Sequence, residues 1–336
     1  MSHPVKRFTT YEEQISQLQS RGMEVDEALA TQWLQAVGYY RLSGYWYTAR
    51  EVVGTKSDGN RKIPVRGDRF VPGTSFADIA ALYEFDRKLR TQIHDGLERV
   101  EVAVRNAIAH TLGSSDPLAL YHRDTFRRPS AGDQFHHYGL LTTISSRVDR
   151  ALRSPRGNEH ITHNVDKYGV QLATWVVADV LDFGDASKIF SGLDTGRQTE
   201  IANHLGIDIS PLSLTPSQRK AVSSAHPLGA WLRQLSILRN KCAHHARVWN
   251  CTLVPAGTAV IRQLPGLASL QRDQSERVFG ALTVIGKLLE VASPASSWIV
   301  RTRELLDHGL SNVPAVTADS VGATDDWSSN GVWLAS

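Results

Sequence analysis

The chain predicts a mostly α-helical protein on three observations: apolar residues recur at three- and four-residue spacing, capping residues stand ahead of these runs, and glycine or proline punctuates them. Thr10 with Glu13 forms a capping box before Ile15 and Leu18, and Asp26 is placed to cap a second helix carrying Leu29, Trp33, Leu34 and Val37. A helical hairpin therefore opens the protein. Gly38 closes its second helix, and the aromatic cluster Tyr39, Tyr40, Tyr45, Trp46 and Tyr47 follows, better suited to packing than to stacking on bases. From Val53 to Gly73 the glycine, proline and charged residues predict a long loop or a short hairpin. The strongest pattern starts at Thr74 or Ser75 and runs through Ile79, Leu82, Phe85, Leu89, Ile93, Leu97, Val100, Val104 and Ile108. That is one long helix, with Gly96 as a candidate bend and Gly113 as its C-cap.

Further helices are expected from about Asp133 to Leu152, with a break at residues 154–157, and then near 160–168, 171–182, 185–192 and 196–205. Pro211 and Pro216 mark a loop, whereas Pro227 suits the first turn of a strong helix with Leu228, Trp231, Leu232, Leu235 and Leu238. Residues 254–265 read as irregular or extended, and 275–291 and 297–308 as the last helices. No solenoid period is present. The expected organisation is an N-terminal helical region with a basic loop over 1–73, a helical domain over 74–312, and a loose acidic tail over 313–336 in which Trp327 and Trp333 are the groups able to dock.

The chain has 336 residues, 41% of them hydrophobic and 21% charged, which excludes wholesale disorder and a collagen or coiled-coil rod. The most apolar run, near 172–181, is about half the roughly 20 residues a membrane helix needs, so no membrane association is expected. With two cysteines and no secretory pattern at the N-terminus, a reducing, cytoplasmic setting is expected. The net charge of +3 hides two Arg-rich stretches, 41–69 and 121–156, each with seven bases against three acids. Such stretches suit phosphate, because guanidinium offers a forked donor set to its oxygens. They also suit an ordinary solvated face.

One internal echo carries chemistry. Arg105-Asn106-Ala107-Ile108-Ala109-His110 is matched by Arg239-Asn240-Lys241-Cys242-Ala243-His244, each copy late in a strong amphipathic helix. From the composition, the Arg-Asn-x3-His pattern has an expected count of about 0.03, so two occurrences are not accidental. On a helix, Asn and His four apart lie about 40° from each other, while Arg lies about 140° from His. Either the Arg reaches around or the helix loosens near His. Imidazole exchanges protons near neutrality, and Arg stabilises charge developing on a phosphoryl oxygen. Together they supply what RNA cleavage without a metal requires: removal of the ribose 2′-hydroxyl proton, protonation of the 5′-oxygen, and release of a 2′,3′-cyclic phosphate. Because one His cannot readily do both, the two copies suggest a composite cleft in which His110 faces His244, within one chain or across a homodimer. Ordinary structural roles compete: Glu101 with Arg105 is a helical i,i+4 ion pair, and His110 sits near a helix C-terminus. Cys242, His244, His245 and Cys251 lack zinc-site spacing, and no Walker or dinucleotide fingerprint occurs, so no cofactor is expected.

The blocks Tyr39 to Tyr45, Leu82 to Arg90, Glu98 to Arg105, Asp182-Phe183-Gly184-Asp185 and Arg239 to Asn250 resemble, in order, those of the Abi-like family of bacterial abortive-infection proteins, the AbiD/AbiF group, over about residues 8–290. The resemblance implies an α-helical HEPN-type fold, RNA cleavage by an Arg-x4-His motif, and arrest of phage-infected cells. It also implies RNA as substrate, with a regulatory noncoding RNA as a further partner. Carried over, catalysis falls to Arg239, Asn240 and His244, and to Arg105, Asn106 and His110, with His245 as an accessory or alternative imidazole. Arg41, Arg123, Arg127, Arg128 and Arg247 are the expected RNA contacts. The family block also covers Asp86 and Arg87, whose better reading is an ion-paired helix core. A non-catalytic RNA-binding sensor or scaffold is the alternative function.

Overall fold

The computed structural model describes residues 5–58, 61–128, 135–154, 158–324 and 326–334. Among them are fourteen α-helices and two small two-stranded sheets, so the fold is mostly α. The chain divides into two compact units, residues 1–89 with 305–317, and residues 90–304 with 318–336.

The first unit begins with α1 (Tyr11–Ser20), whose N-terminus carries the expected capping box: Glu13 N–H donates to Thr10 Oγ1, and Thr10 N–H donates to the Glu13 carboxylate at 2.9 Å. Asp26 caps α2 (Glu27–Ala36) by accepting from Leu29 N–H at 2.9 Å. Gly38, at φ 89°, turns the chain directly into a third helix, α3 (Tyr39–Trp46), which the aromatic composition had disguised. Leu42, Tyr45 and Trp46 form its buried face and Tyr39 lies edge-on to Trp46, whereas Tyr40 and Tyr47 are exposed, so the packing expected of the cluster holds for part of it. The basic segment is a hairpin, β1 (Arg50–Asp58) against β2 (Arg61–Phe70), antiparallel with register shifts near Val52. The long helix α4 (Phe76–Gly113) begins here, and the division between units falls within it. Asp86 is fully buried on α4 and accepts from Tyr45 Oη at 2.6 Å, while Arg87 pairs with Glu84 at 2.9 Å.

In the second unit the apolar stripe of α4 is buried as its spacing predicts. Gly96 serves close approach: a Cβ there would stand 2.7 Å from both Trp298 Nε1 and Ile285 Cγ2. The helices that follow are α5 (His137–Leu152), α6 (Glu159–Tyr168), α7 (Thr174–Val180), α8 (Phe183–Gly192) and α9 (Thr195–His204). The expected helix start at Asp133 and the break at Pro155, Arg156 and Gly157 lie outside the described residues. Pro216, read as part of a loop, is instead the first residue of α10 (Pro216–Ser224), whose capping box joins Thr215 and Gln218. Then come α11 (Leu228–Ala243), a minimal sheet of β3 (Ala256–Gly257) and β4 (Gln274–Ser275), α12 (Val278–Ala292), α13 (Trp298–Asn312) and α14 (Ala318–Val321). Buried on nearly all sides, α12 is the centre of this core, and α11 packs on both α8 and α12. Among the described residues of the C-terminal segment, Trp327 and Trp333 are buried, Trp333 stacks on Phe279 at 5.4 Å, and its Nε1–H donates to Thr283 Oγ1 at 3.1 Å. Two indoles supply enough apolar surface to hold an otherwise polar, acidic segment in place.

The Asp182-Phe183-Gly184-Asp185 block is structural. Asp182 and Asp185 form the capping box of α8, and Arg147 of α5 pairs with both, at 2.9 Å from Asp185 Oδ2. Asp182 is held below the usual carboxylate range, against the cost of its burial, by the Asp185 N–H and the guanidinium; Asp185 is raised by burial and by Asp182 beside it. Arg147→Ala leaves two neighbouring carboxylates, one of them buried, without their cation. A loss of about 2 kcal/mol in urea-unfolding stability is expected, discounted for the part-exposed Asp182. A loss below 0.5 kcal/mol would rule out the triad as a tie between α5 and α8.

Candidate functional site

Both copies of the motif lie in the second unit, and the two helices resolve the Arg–His geometry in opposite ways. In α4 the helix continues past His110 to Gly113, and Arg105 turns aside, its Nη1 donating to the carbonyl of Leu181 at 2.8 Å and of Asp179 at 3.3 Å. In α11 the helix stops at Ala243, and His244 is its C-cap. Ala246 N–H returns to the Lys241 carbonyl at 2.8 Å and His245 N–H to that of Cys242 at 3.0 Å, a paired closure that needs a left-handed residue at the position of His245, φ 55°. Glycine usually fills that place. A histidine there accepts about 1 kcal/mol of strain and points a second imidazole outward beside the first.

The two copies meet at Glu101. This carboxylate is 7% exposed; its Oε1 lies 3.8 Å from Arg105 Nη2 and its Oε2 3.3 Å from Arg239 Nε. One buried anion thus faces the guanidinium groups of both motifs, residues 134 apart in sequence. The ordinary i,i+4 pair expected of Glu101 is present, and is half of a larger arrangement.

The polar groups beyond the arginines are open to solvent. Asn106, His110, Asn240, His244 and His245 are exposed. Among the described residues neither Asn106 nor Asn240 hydrogen-bonds the imidazole of its own motif, so the orienting role expected of the Asn side chains is not seen. His110 and Asn106 line a groove of about 720 Å³ along α4, together with Val102, and with His204 and Leu205 at the end of α9. The rings of His110 and His204 lie 5.6 Å apart at 60°. Neither Arg239 nor His244 is among the residues lining that groove. Sequence reading did not single out His204: it belongs to no motif, and nothing local marks it.

The arginines expected to touch RNA divide. Arg123 donates to the carbonyls of Phe126 and Arg127 and so closes its own segment, and Arg127 donates to that of Ser191 and ties the segment to the end of α8. Arg247 lies over the Trp249 ring at 5.7 Å. Arg128 is exposed, as is Arg41 on α3 of the first unit. Cys242 is buried and Cys251 Sγ–H donates to the Arg247 carbonyl. Among the described residues no group of three or more His, Cys, Asp or Glu is placed to hold a metal ion, and no helix is long and apolar enough to cross a membrane.

The fold and site define a helical protein in which two copies of an Arg-Asn-x3-His motif are joined through one buried carboxylate. The chain belongs to the family described as Abi-like protein, which matches residues 32–250, about two thirds of its length and both motif copies. Membership points to abortive infection, a defence against phage. No curated protein and no solved structure matches the chain.

Proposed function

We propose that this Abi-like protein is an endoribonuclease of phage defence that cleaves RNA by His and Arg acid–base chemistry, without a metal, leaving 2′,3′-cyclic phosphate ends. The observation that carries this reading is the convergence of Arg105 and Arg239 on Glu101, which holds two repeats of a proton-transfer motif next to each other in one unit of one chain. Both arginines pair with the one carboxylate of Glu101, and each motif presents an exposed imidazole, His110 on α4 and His244 at the end of α11. An imidazole takes the 2′-hydroxyl proton, and a second gives one to the 5′-oxygen. The positive field of two guanidinium groups, only partly offset by one carboxylate, favours a polyanionic substrate.

The test is incubation of the purified protein with total RNA in EDTA, followed by end-group analysis. Wild type is expected to yield 2′,3′-cyclic phosphate, and His110→Ala and His244→Ala are each expected to lose about 10²-fold in rate. Mixing the two variants should restore nothing, since both motifs lie in one unit of one chain; restored cleavage would place the site across a homodimer. One observation favours a non-catalytic, RNA-binding role: both guanidinium groups are engaged by protein partners, Arg105 with two main-chain carbonyls as well. Intact RNA that nonetheless binds with steep salt dependence would establish that alternative.

A further inference from the structure

We infer that His204 is a catalytic residue, the proton-transfer partner of His110, so that the groove along α4 holds a complete acid–base pair for RNA cleavage. The inference rests on the ribonuclease reading above and departs from it at one point: the second imidazole for His110 comes from α9, outside both motifs.

Four observations converge. The two rings, 5.6 Å apart, are close enough for nitrogens of both to reach one phosphate, each within a hydrogen bond of about 2.6–3.2 Å from a different oxygen. Both residues are solvent-exposed and line the same groove, large enough at about 720 Å³ for a nucleotide unit. Among the described residues neither imidazole has a hydrogen-bond or ion-pair partner, so no structural role engages their nitrogens. Along α4 the groove wall follows the i,i+4 stripe Glu98, Val102, Asn106, His110, with Arg99 beside it at the far end; this places an amide donor one turn from the first imidazole, while Val102, Leu205 and Val291 give the site apolar flanks. Among the described residues the Asn106 amide has no partner, which leaves it able to donate to a non-bridging phosphate oxygen.

The chemistry closes with these groups. One imidazole, neutral, takes the proton of the 2′-hydroxyl as that oxygen bonds to phosphorus. The other, protonated, gives its proton to the 5′-oxygen as the bond from phosphorus to that oxygen breaks. The products are a 2′,3′-cyclic phosphate and a 5′-hydroxyl, and exchange with water returns both rings to their starting states.

The experiment compares wild type, His204→Ala, His204→Gln and the control His163→Gln, an exposed histidine on α6, on a short fluorescent RNA in EDTA between pH 5 and 9. Cleavage rate, RNA affinity by anisotropy, and added imidazole are the readouts. The expected result is wild-type cleavage with a bell-shaped pH profile, a loss of at least 30-fold in both His204 variants with affinity unchanged, disappearance of one limb of the bell, and partial rescue of His204→Ala by imidazole. The His163 variant should match wild type. If wild type cleaves and both His204 variants cleave within threefold of it with the bell intact, the assignment of His204 is overturned and the ribonuclease reading stands. If wild type leaves the RNA whole, both are overturned.

Discussion

Glu101→Ala is expected to lower the stability of the unit that carries it by about 3 kcal/mol, the low end of the cost of removing one partner from a buried ion pair. The wild-type carboxylate is buried, whereas the side chain of Arg239 is 34% exposed, which reduces the effect from the upper end of that range. In the variant two guanidinium groups face the gap with no anion between them. Their mutual repulsion adds to the lost attraction, and water can reach only part of it. Glu101→Gln keeps the volume but not the charge and should behave nearly as badly. Glu84→Ala provides the contrast: its pair with Arg87 is a surface i,i+3 contact, worth less than 1 kcal/mol. Urea unfolding of the three variants at low and at 0.5 M salt checks the argument. Added salt should recover part of the loss in Glu101→Ala, because screening weakens the repulsion between the arginines. A Glu101→Ala midpoint within error of that of Glu84→Ala would show that the two motifs are not held together by this carboxylate.

The same residue shows where sequence reading reaches its limit. The doubled motif is legible because three residue types in fixed spacing are improbable twice, and because each copy sits on a helix whose apolar rhythm is plain. The pairing of Glu101 with Arg105 follows from helical spacing. Its pairing with Arg239 does not, since a contact between residues 138 positions apart depends on how α4 and α11 meet and leaves no local mark. His204 is invisible for the same reason. The missed helices have different causes. The α3 segment buries Leu42, Tyr45 and Trp46 at helical spacing, but its aromatic residues and Gly44 are weak helix formers and conceal the period. Conversely, α10 has no buried residue, so there is no apolar stripe to read; only Thr215 and Gln218 at its start announce it. The acidic C-terminal segment reads as a tail because its composition is polar, and two tryptophans outweigh that average.

His226 gives the second large effect, and it is a pH dependence. The residue stands just before α11, 3% exposed, with its N–H donating to Gln198 Oε1 at 2.8 Å and its ring edge-on to Phe190. Nδ1 accepts from Leu228 N–H at 3.2 Å, so the imidazole must be neutral, with its proton on Nε2. Protonating Nδ1 would set two N–H donors against each other and bury a cation, and burial pushes the group down to about 4 despite the attraction of Asp208. The sign follows. The unfolded chain takes up this proton near pH 6.5 and the folded chain not until near 4, so above pH 6.5 the residue contributes no pH dependence. As pH falls between those values the unfolded state gains, by about 2.5 kcal/mol at pH 4.5 and about 3 kcal/mol below pH 4. His226→Asn keeps a side-chain oxygen as acceptor for the helix start and removes the titration. The difference in unfolding free energy between variant and wild type should therefore move by about 2.5 kcal/mol in the variant's favour from pH 7.5 to pH 4.5. Carboxylates that titrate in both proteins cancel in that difference. Parallel curves across the range would mean that His226 is protonated within the fold, and that α11 begins without the acceptor described here.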